Sequence, residues 1–399
     1  MNILIFNCGS SSQGFKLFRV DPNGIQEILI QGKARNVATF TQAQPFIDWS
    51  VNGEKSQKNA DLSSHALAAA EIISVIKQYG FGVDAIGHRF VHGGDLFTQT
   101  TRIDAKIMEK LAGCFSLAPI HNPNSFAVIQ VCLQSYPGLS QFAVFDTAFH
   151  AQMPESSKQY GLPRDLIRQF GYHKYGFHGL SYQFVSQKAA ACLGKPLANI
   201  KCILCHLGTG GSSVAALRDG HSIDNSMGYS PLPGLVMSTR SGDLDPEIVL
   251  DMVRRGFSAD EISQILNNRS GLIGLSGFSS NLEEIINEAE KGDAGCRLAY
   301  DVYTNRLKFY ISAYVGLLNG ADLLAFTDDI GVKSWKLRQA VCANMDYLGI
   351  LLDQEANRKA VGGVAAKISS PESPTQVWVI PTDEEQVMLE EVAKQFFPG

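Results

Sequence analysis

The sequence predicts an α/β protein of two domains. Short apolar runs of strand length alternate with longer stretches of helical periodicity, the pattern of sheets covered by helices. A length of 399 residues exceeds what one hydrophobic core usually organises. The opening strand–turn–strand, ILIFNCGSSSQGFKLF, is echoed at 202–217 by CILCHLGTGGSSVAAL, a weak internal repeat of two hairpins that could grip one polyanion from both sides. No low-complexity linker divides the chain.

The elements follow in order. Residues 3–6 and 15–20 are apolar strands on either side of NCGSSSQG (7–14). That turn admits two readings, a solvated hairpin of ordinary turn residues or a cradle in which amides and hydroxyls meet an anion. Residues 60–79, rich in Ala and periodic, form a helix; 82–97 reads as a strand entering a glycine turn, and 139–145 as a buried strand ending at Asp146. Helices are expected at 182–193, 246–255, 259–267 and 281–291. A long amphipathic helix over 295–319 leads into the strand ADLLAFT (321–327). The tail closes with a strand near 377–380 and a helix over 384–397.

Several classes are excluded or disfavoured by composition. A formal net charge of -5 argues against a general nucleic-acid binder. No run of about 18 apolar residues exists to span a membrane, since the best candidate, 311–326, is interrupted by Asn319, Gly320 and Asp322. No signal-peptide pattern opens the chain, so the expected location is cytoplasmic. Cys202 and Cys205 have CxxC spacing but lie in a buried strand without a second pair, which favours structural thiols over zinc. Neither glycine turn is a Walker loop, and the GxGxxG beginning at Gly208 and Gly210 is incomplete because position 213 is Ser.

Polar groups cluster beside glycine, proline and strand ends in GHRFVHGG (87–94), APIHNPNS (118–125), FDTAFH (145–150), KYGFHGLS (174–181) and STRSGDLDP (238–246). Each has a structural alternative. Arg89 suits a surface ion pair, His121 and His178 suit hydrogen-bonded core positions, Asp146 suits a cap, and Asp243 and Asp245 suit capping of the helix after Pro246. As a set they have another meaning. Arg89 and Arg240 come from separate segments, as a clamp on carboxylate or phosphoryl oxygens requires. Asp146 and Glu384 offer the carboxylates that magnesium takes together with water and phosphate. A cradle, two arginines and an acidic metal site are what phosphoryl transfer needs.

These blocks, in this order from NCGSSS to IPTDEE (380–385) and including SMGYSPLPGL, resemble the acetate kinase (acetokinase) family of the acetate/sugar kinase–Hsp70–actin superfamily. The resemblance implies a two-domain actin-like, ribonuclease H-like duplicated fold with an active-site cleft between the domains. It implies an N-terminal domain over 1–148 with a helix of about 385–399 packing back on it. A C-terminal domain over 149–384 would carry the nucleotide loop and a homodimer interface. The implied activity is reversible, direct in-line transfer of a phosphoryl group from ATP to acetate, giving acetyl phosphate and ADP, with Mg2+ or Mn2+. By the same resemblance, Asn7, Ser10, Ser12, His206, Gly208, Thr209, Gly210 and Gly331 contact phosphates or nucleotide. Asn7 and Glu384 serve the metal. Arg89, Arg240, His178, His121 and Asp146 form the reacting centre, and Val91, Ile120, Phe177 and Pro231 enclose the acyl group.

The chain departs from the family pattern on the donor side. Gly14 stands where a lysine is usual, HLGTG replaces HLGNG, and Ser238 replaces a glycine in MSTRSG. The adenosine loop, usually FTAGIGEN, is FTDDIGVK (326–333), which brings in Asp328 and Asp329. Two carboxylates there repel an approaching polyphosphate unless they pair with Lys333 or point away. An acetate kinase using pyrophosphate or another donor, and a non-catalytic ligand-binding relative, are the alternatives these departures raise.

Overall fold

The computed structural model describes residues 1–21, 24, 26–39 and 44–397, and the chain forms two compact units. Unit 1 comprises Met1–Ala151 and Asp383–Gly399, and unit 2 comprises Gln152–Thr382. The last two positions of the expected C-terminal helix lie outside the described residues.

Unit 1 contains strands β1 (Asn2–Cys8), β2 (Ser12–Val20), β3 (Gln26–Arg35), β4 (Phe46–Val51) and β5 (Glu54–Asn59). Helix α1 (His65–Gln78), strands β6 (Ala85–Phe90) and β7 (Thr101–Arg102), helices α2 (Ala105–Gly113) and α3 (Asn122–Ser135), and strand β8 (Ser140–Phe145) follow. The sheet order is β5-β4-β3-β2-β1-β6-β8-β7, with β1, β6 and β8 parallel. Strand alternation sorts side chains to two faces. Leu4, Phe6, Phe15 and Leu17 pack with Ile72 and Ile76 of α1 and Val128 of α3. The opposite face meets the C-terminal helix, Glu384–Ala393: Ile5 and Val392 both face Gly87, and Phe142 packs edge-on against Phe396.

Unit 2 begins with α4 (Glu155–Lys158), α5 (Arg164–Phe170) and α6 (Gly179–Leu193), then β9 (Lys201–Leu207), β10 (Ser212–Arg218) and β11 (His221–Asn225). Helices α7 (Pro246–Arg254), α8 (Ala259–Asn268), α9 (Gly271–Ser276), α10 (Leu282–Glu290) and α11 (Ala294–Leu318) precede β12 (Leu323–Thr327). Helices α12 (Asp328–Lys333), α13 (Trp335–Cys342) and α14 (Gln354–Lys359) and strands β13 (Ala366–Lys367) and β14 (Gln376–Val379) complete it. The order is β11-β10-β9-β12-β14-β13, with β9, β12 and β14 parallel. Helix α11, capped by Asp293, buries Ala299, Tyr303, Leu307, Ile311 and Leu318 at helical spacing.

The two units share a plan. Reading outward from the hairpins, β3-β2-β1-β6-β8 and β11-β10-β9-β12-β14 have the same order and the same mixture of antiparallel and parallel neighbours. Asn7 is paired with Gly14 and His206 with Ser213, each one step from the end of its hairpin. The repeat seen in the sequence is therefore a repeat in space, with Asn7 and His206 as counterparts.

The structure revises several expectations. Residues 26–59, left without a strand by their polarity, carry three antiparallel strands at the sheet edge, where exposure tolerates charge. Residues 328–333 form helix α12 instead of a loop, with Lys333 bonded to Asp329 one turn back at 2.8 Å. Asp245 caps α7 as expected, but Asp243 caps nothing: it accepts from Gly234 N at 2.8 Å and from the Tyr310 hydroxyl at 2.7 Å. All eight cysteines are free thiols, and burial pushes that of Cys202 up to about 12. Among the described residues no helix is long and apolar enough to cross a membrane.

Candidate active site

Each unit gathers polar residues at the C-terminal ends of its parallel strands, where open α/β sheets hold ligands. In unit 1 the register aligns Ile5 with Gly87 and Arg89 with Val144. Alternation then carries Asn7, Arg89 and Asp146 onto the face that meets the C-terminal helix.

Arg89 is the hub. Its Nε donates to Asp146 Oδ1 at 3.0 Å, its Nη2 to Asp146 Oδ2 at 2.6 Å, and its Nη1 to Asn7 Oδ1 at 3.2 Å. A guanidinium has five N–H donors, so these three bonds leave one hydrogen on each Nη, with Glu384 Oε2 4.0 Å from Nη1. Burial alone would lower the Arg89 pKa; the carboxylates of Asp146 and Glu384 outweigh it and hold the group above the ordinary arginine range. Asn7 Nδ2 in turn donates to Glu384 Oε2 at 3.1 Å and Glu385 Oε1 at 3.0 Å.

Asp383 caps the C-terminal helix by accepting from Gln386 N, so Glu384 is free of capping duty. Glu385 sits where Gly14 has no side chain, since a Cβ there would lie 3.0 Å from its Oε1. Burial raises the Glu385 pKa, opposed by Lys16, whose ammonium lies 3.7 Å from Oε2 and bonds Asp383 at 2.7 Å. Lys16 thus supplies positive charge beside the bare position 14.

The serines of the first turn differ in exposure. Ser10 is exposed at the turn tip and Ser12 is half-buried at the start of β2. His121 opens α3, beside the fully buried Asn122, whose side chain accepts from His92 N at 3.2 Å and donates to His92 O at 3.0 Å. That staple fixes the chain just after Arg89. It was not singled out in the sequence, where Asn122 looks like one more turn residue before Pro123.

In unit 2, His178 has a left-handed backbone (φ 59°) as it starts α6, and its Nδ1 lies 2.8 Å from Ser213 Oγ. Ser213 also meets the Tyr182 hydroxyl at 2.5 Å. The rings of His178 and His206 stack with centroids 4.0 Å apart, and His206 Nδ1 lies 2.8 Å from Ser181 Oγ. Arg240 and His178 converge on the hairpin: a Cβ on Gly211 would lie 3.3 Å from Arg240 Nη1 and 3.5 Å from His178 Nε2.

Arg240 donates only to Pro231 O at 3.4 Å and to Met237 Sδ at 3.7 Å, and no carboxylate among the described residues pairs with it. Burial lowers its pKa, yet guanidinium remains charged near neutrality. Thr209 and Gly210 are exposed at the turn, and Ser238 donates to Thr209 O, tying the arginine-bearing segment to the hairpin. Ser181, Tyr182 and Ser213 complete this network. The only sequence signal for Ser213 was its place opposite His206 in a hairpin.

The remaining expected residues are placed differently. Gly331 is buried inside α12, and its carbonyl accepts from Arg338 at 2.7 Å. Of the four acyl-pocket residues, Val91 and Phe177 are 5% and 1% exposed, whereas Ile120 and Pro231 retain surface. Among the described residues no three His, Cys, Asp or Glu side chains are grouped to hold a metal. Glu384 brings a carboxylate oxygen beside the Asn7 side chain, the oxygen type that could take up magnesium together with water and phosphate.

The acetokinase family model matches residues 2–390. The chain belongs to the acetokinase family. The acetate kinase of Desulfitobacterium hafniense (strain Y51) is 41% identical over 394 residues, covering 96% of both chains. The crystal structure of acetate kinase from Entamoeba histolytica superposes over 100% of both chains with a TM-score of 0.88 at 39% identity. That of a propionate kinase from Francisella tularensis subsp. tularensis SCHU S4 covers 98% of both with a TM-score of 0.88 at 36% identity. The fold is accordingly that of the acetokinases, the actin-like arrangement expected from the motifs.

Proposed function

We propose that this acetokinase transfers the γ-phosphoryl group of ATP to acetate, reversibly and with Mg2+, giving acetyl phosphate and ADP. The observation that carries this reading is Arg240, which stands beside His178 at the hairpin turn and is paired with no carboxylate among the described residues. A positive group held at this position meets the charge that spreads over phosphoryl oxygens in transfer.

The reaction needs no covalent enzyme intermediate. A carboxylate oxygen of acetate attacks the γ-phosphorus, the bond to the β–γ bridging oxygen breaks, and ADP leaves with that electron pair. Arg240 and His178 stabilise the group in flight, and Ser213 with Tyr182 fixes the imidazole. Ser10, Ser12, Gly208, Thr209 and Gly210 supply hydroxyls and close backbone to phosphates, and Gly331 backs the nucleotide from within α12. Asp146 orients Arg89, whose two spare N–H groups hold the acetate carboxylate, with His121 near the start of α3. Glu384 and Asn7 would hold a magnesium ion, whose charge would offset that of the donor phosphates. Ile120 and Pro231 offer apolar surface to the methyl group, backed by Val91 and Phe177. Propionate adds one methylene, worth about 1–3 kcal/mol in such a pocket, so both acids are accepted. The enzyme works in the cytoplasm as a homodimer.

The test is acetyl phosphate formation from acetate and MgATP, trapped as the hydroxamate. Hydroxamate in proportion to enzyme supports the reading. Its absence with a folded protein, or its persistence at full rate in Arg240→Ala, overturns it.

A further inference from the structure

The two aspartates that distinguish 326–333 do different things. Asp329 turns outward to Lys333 and is half-exposed. Asp328 turns inward. It follows Thr327, which is level with His206 in the neighbouring strand, and it adopts φ 61°, a left-handed conformation that few residues other than Gly, Asn and Asp accept. From there its Oδ2 lies 3.2 Å from His206 Nε2. It also lies against the first residue of the hairpin turn, where a Cβ on Gly208 would be only 2.3 Å from Oδ2. A carboxylate therefore sits on the same turn, Gly208 to Gly211, to which Arg240 and His178 converge, and it takes the imidazole nitrogen that points toward the turn.

We propose that Asp328 is an internal competitor for the phosphate end of the donor, setting donor affinity without touching the acid that receives the phosphoryl group. The inference rests on the reading of this hairpin as the donor phosphate seat. A polyphosphate entering the turn meets a fixed negative charge already paired with His206, and two anions at contact distance repel. The donor binds only by displacing that carboxylate from His206 or by tolerating it. Both routes weaken its hold. Asp329 has no such effect, since its charge is matched by Lys333 on the exposed side of the helix.

The experiment is calorimetric titration of the full chain with inorganic tripolyphosphate, alongside the KM for MgATP and for acetate. Asp328→Asn removes the charge at nearly constant shape, and Asp328→Gly suits the same backbone, so both keep the local conformation. Tripolyphosphate binding about tenfold tighter in both variants is expected, with a matching fall in the MgATP KM and an unchanged acetate KM. Asp329→Asn is expected to alter tripolyphosphate binding by less than about twofold.

Unchanged or weaker tripolyphosphate binding in both Asp328 variants overturns the proposal. Because that titration needs no turnover, the two readings fail separately. Tighter binding in a chain that makes no acetyl phosphate upholds the competitor and removes the kinase. Acetyl phosphate formation with unaltered tripolyphosphate binding does the reverse.

Discussion

Arg89 and Asp146 meet through two hydrogen bonds, 3.0 and 2.6 Å long, in a bidentate ion pair that leaves Asp146 almost wholly buried. Arg240 has no such partner among the described residues. The two arginines look equivalent in the sequence, yet one is locked within its unit and the other is uncompensated, and their variants should separate accordingly.

Replacing Arg89 with Ala strands a buried carboxylate. Loss of one partner of a buried pair costs about 3–5 kcal/mol, so Arg89→Ala should lower the denaturation midpoint as well as abolish turnover. Arg89→Lys should recover part of the stability but little activity, because an ammonium cannot reproduce the two-pronged contact. Chemical denaturation of both variants beside the parent checks this; equal midpoints would contradict the pairing.

Arg240→Ala strands nothing. Its kcat is expected to fall by about 10²–10³ with a stability change under about 1 kcal/mol. Parallel kinetics and thermal melts decide it, and a loss of activity matched by a large fall in melting temperature would assign Arg240 to the framework instead.

Glu384→Gln keeps the contact to Asn7 but removes the charge that a cation would use. The Mg2+ concentration giving half-maximal activity should rise about tenfold or more, while the helix, capped by Asp383, should melt as before. A magnesium titration of the variant that overlays the parent's would remove Glu384 from the metal site.

His88 supplies a pH signature. It is fully buried, stacked on Phe6 and bonded to Gln141 at 2.8 Å; burial pushes its pKa down to about 4 from an ordinary 6.5. Between those values the unfolded chain holds the proton that the folded chain excludes, so stability rises with pH from about 4 to 6.5. The full effect is about 3 kcal/mol, and His88→Gln should flatten that part of the stability–pH curve.

Arg338 is fully buried, and no carboxylate among the described residues pairs with it. It donates to the carbonyls of Gly331, Val332, Asn357 and Ala360 and to Asn357 Oδ1, and burial pushes its pKa down to about 10. Arg338→Met leaves those carbonyls unmet and should cost about 3–5 kcal/mol. Faster amide exchange across 328–333 is the expected local mark, because the arginine secures the end of α12 opposite Asp328.

Much of the fold was legible because apolar patterning is strong where the core is. The helix expected at 295–319 and the strand after it lie within a residue or two of the observed bounds. The repeated hairpin was legible too, and its paired ends place Asn7 and His206 alike. Less legible was anything set by long-range contact. Glu385 gains its role from sitting over Gly14, Ser213 from facing His178, and Asn122 from stapling His92. The inward turn of Asp328 and outward turn of Asp329 depend on one backbone angle that adjacent identical residues do not announce.

The C-terminal helix brings Glu384 to Asn7 across 377 positions of chain, whereas unit 2 is one uninterrupted segment. Synthesis therefore supplies the two units on different schedules. The first strands emerge early and must wait, with one face of their sheet bare, until residue 384 and the apolar side of its helix have been made. Unit 2 has every residue it needs before then. The half-site around Arg89 is thus assembled last, and its completion is also the closing step in covering the first sheet.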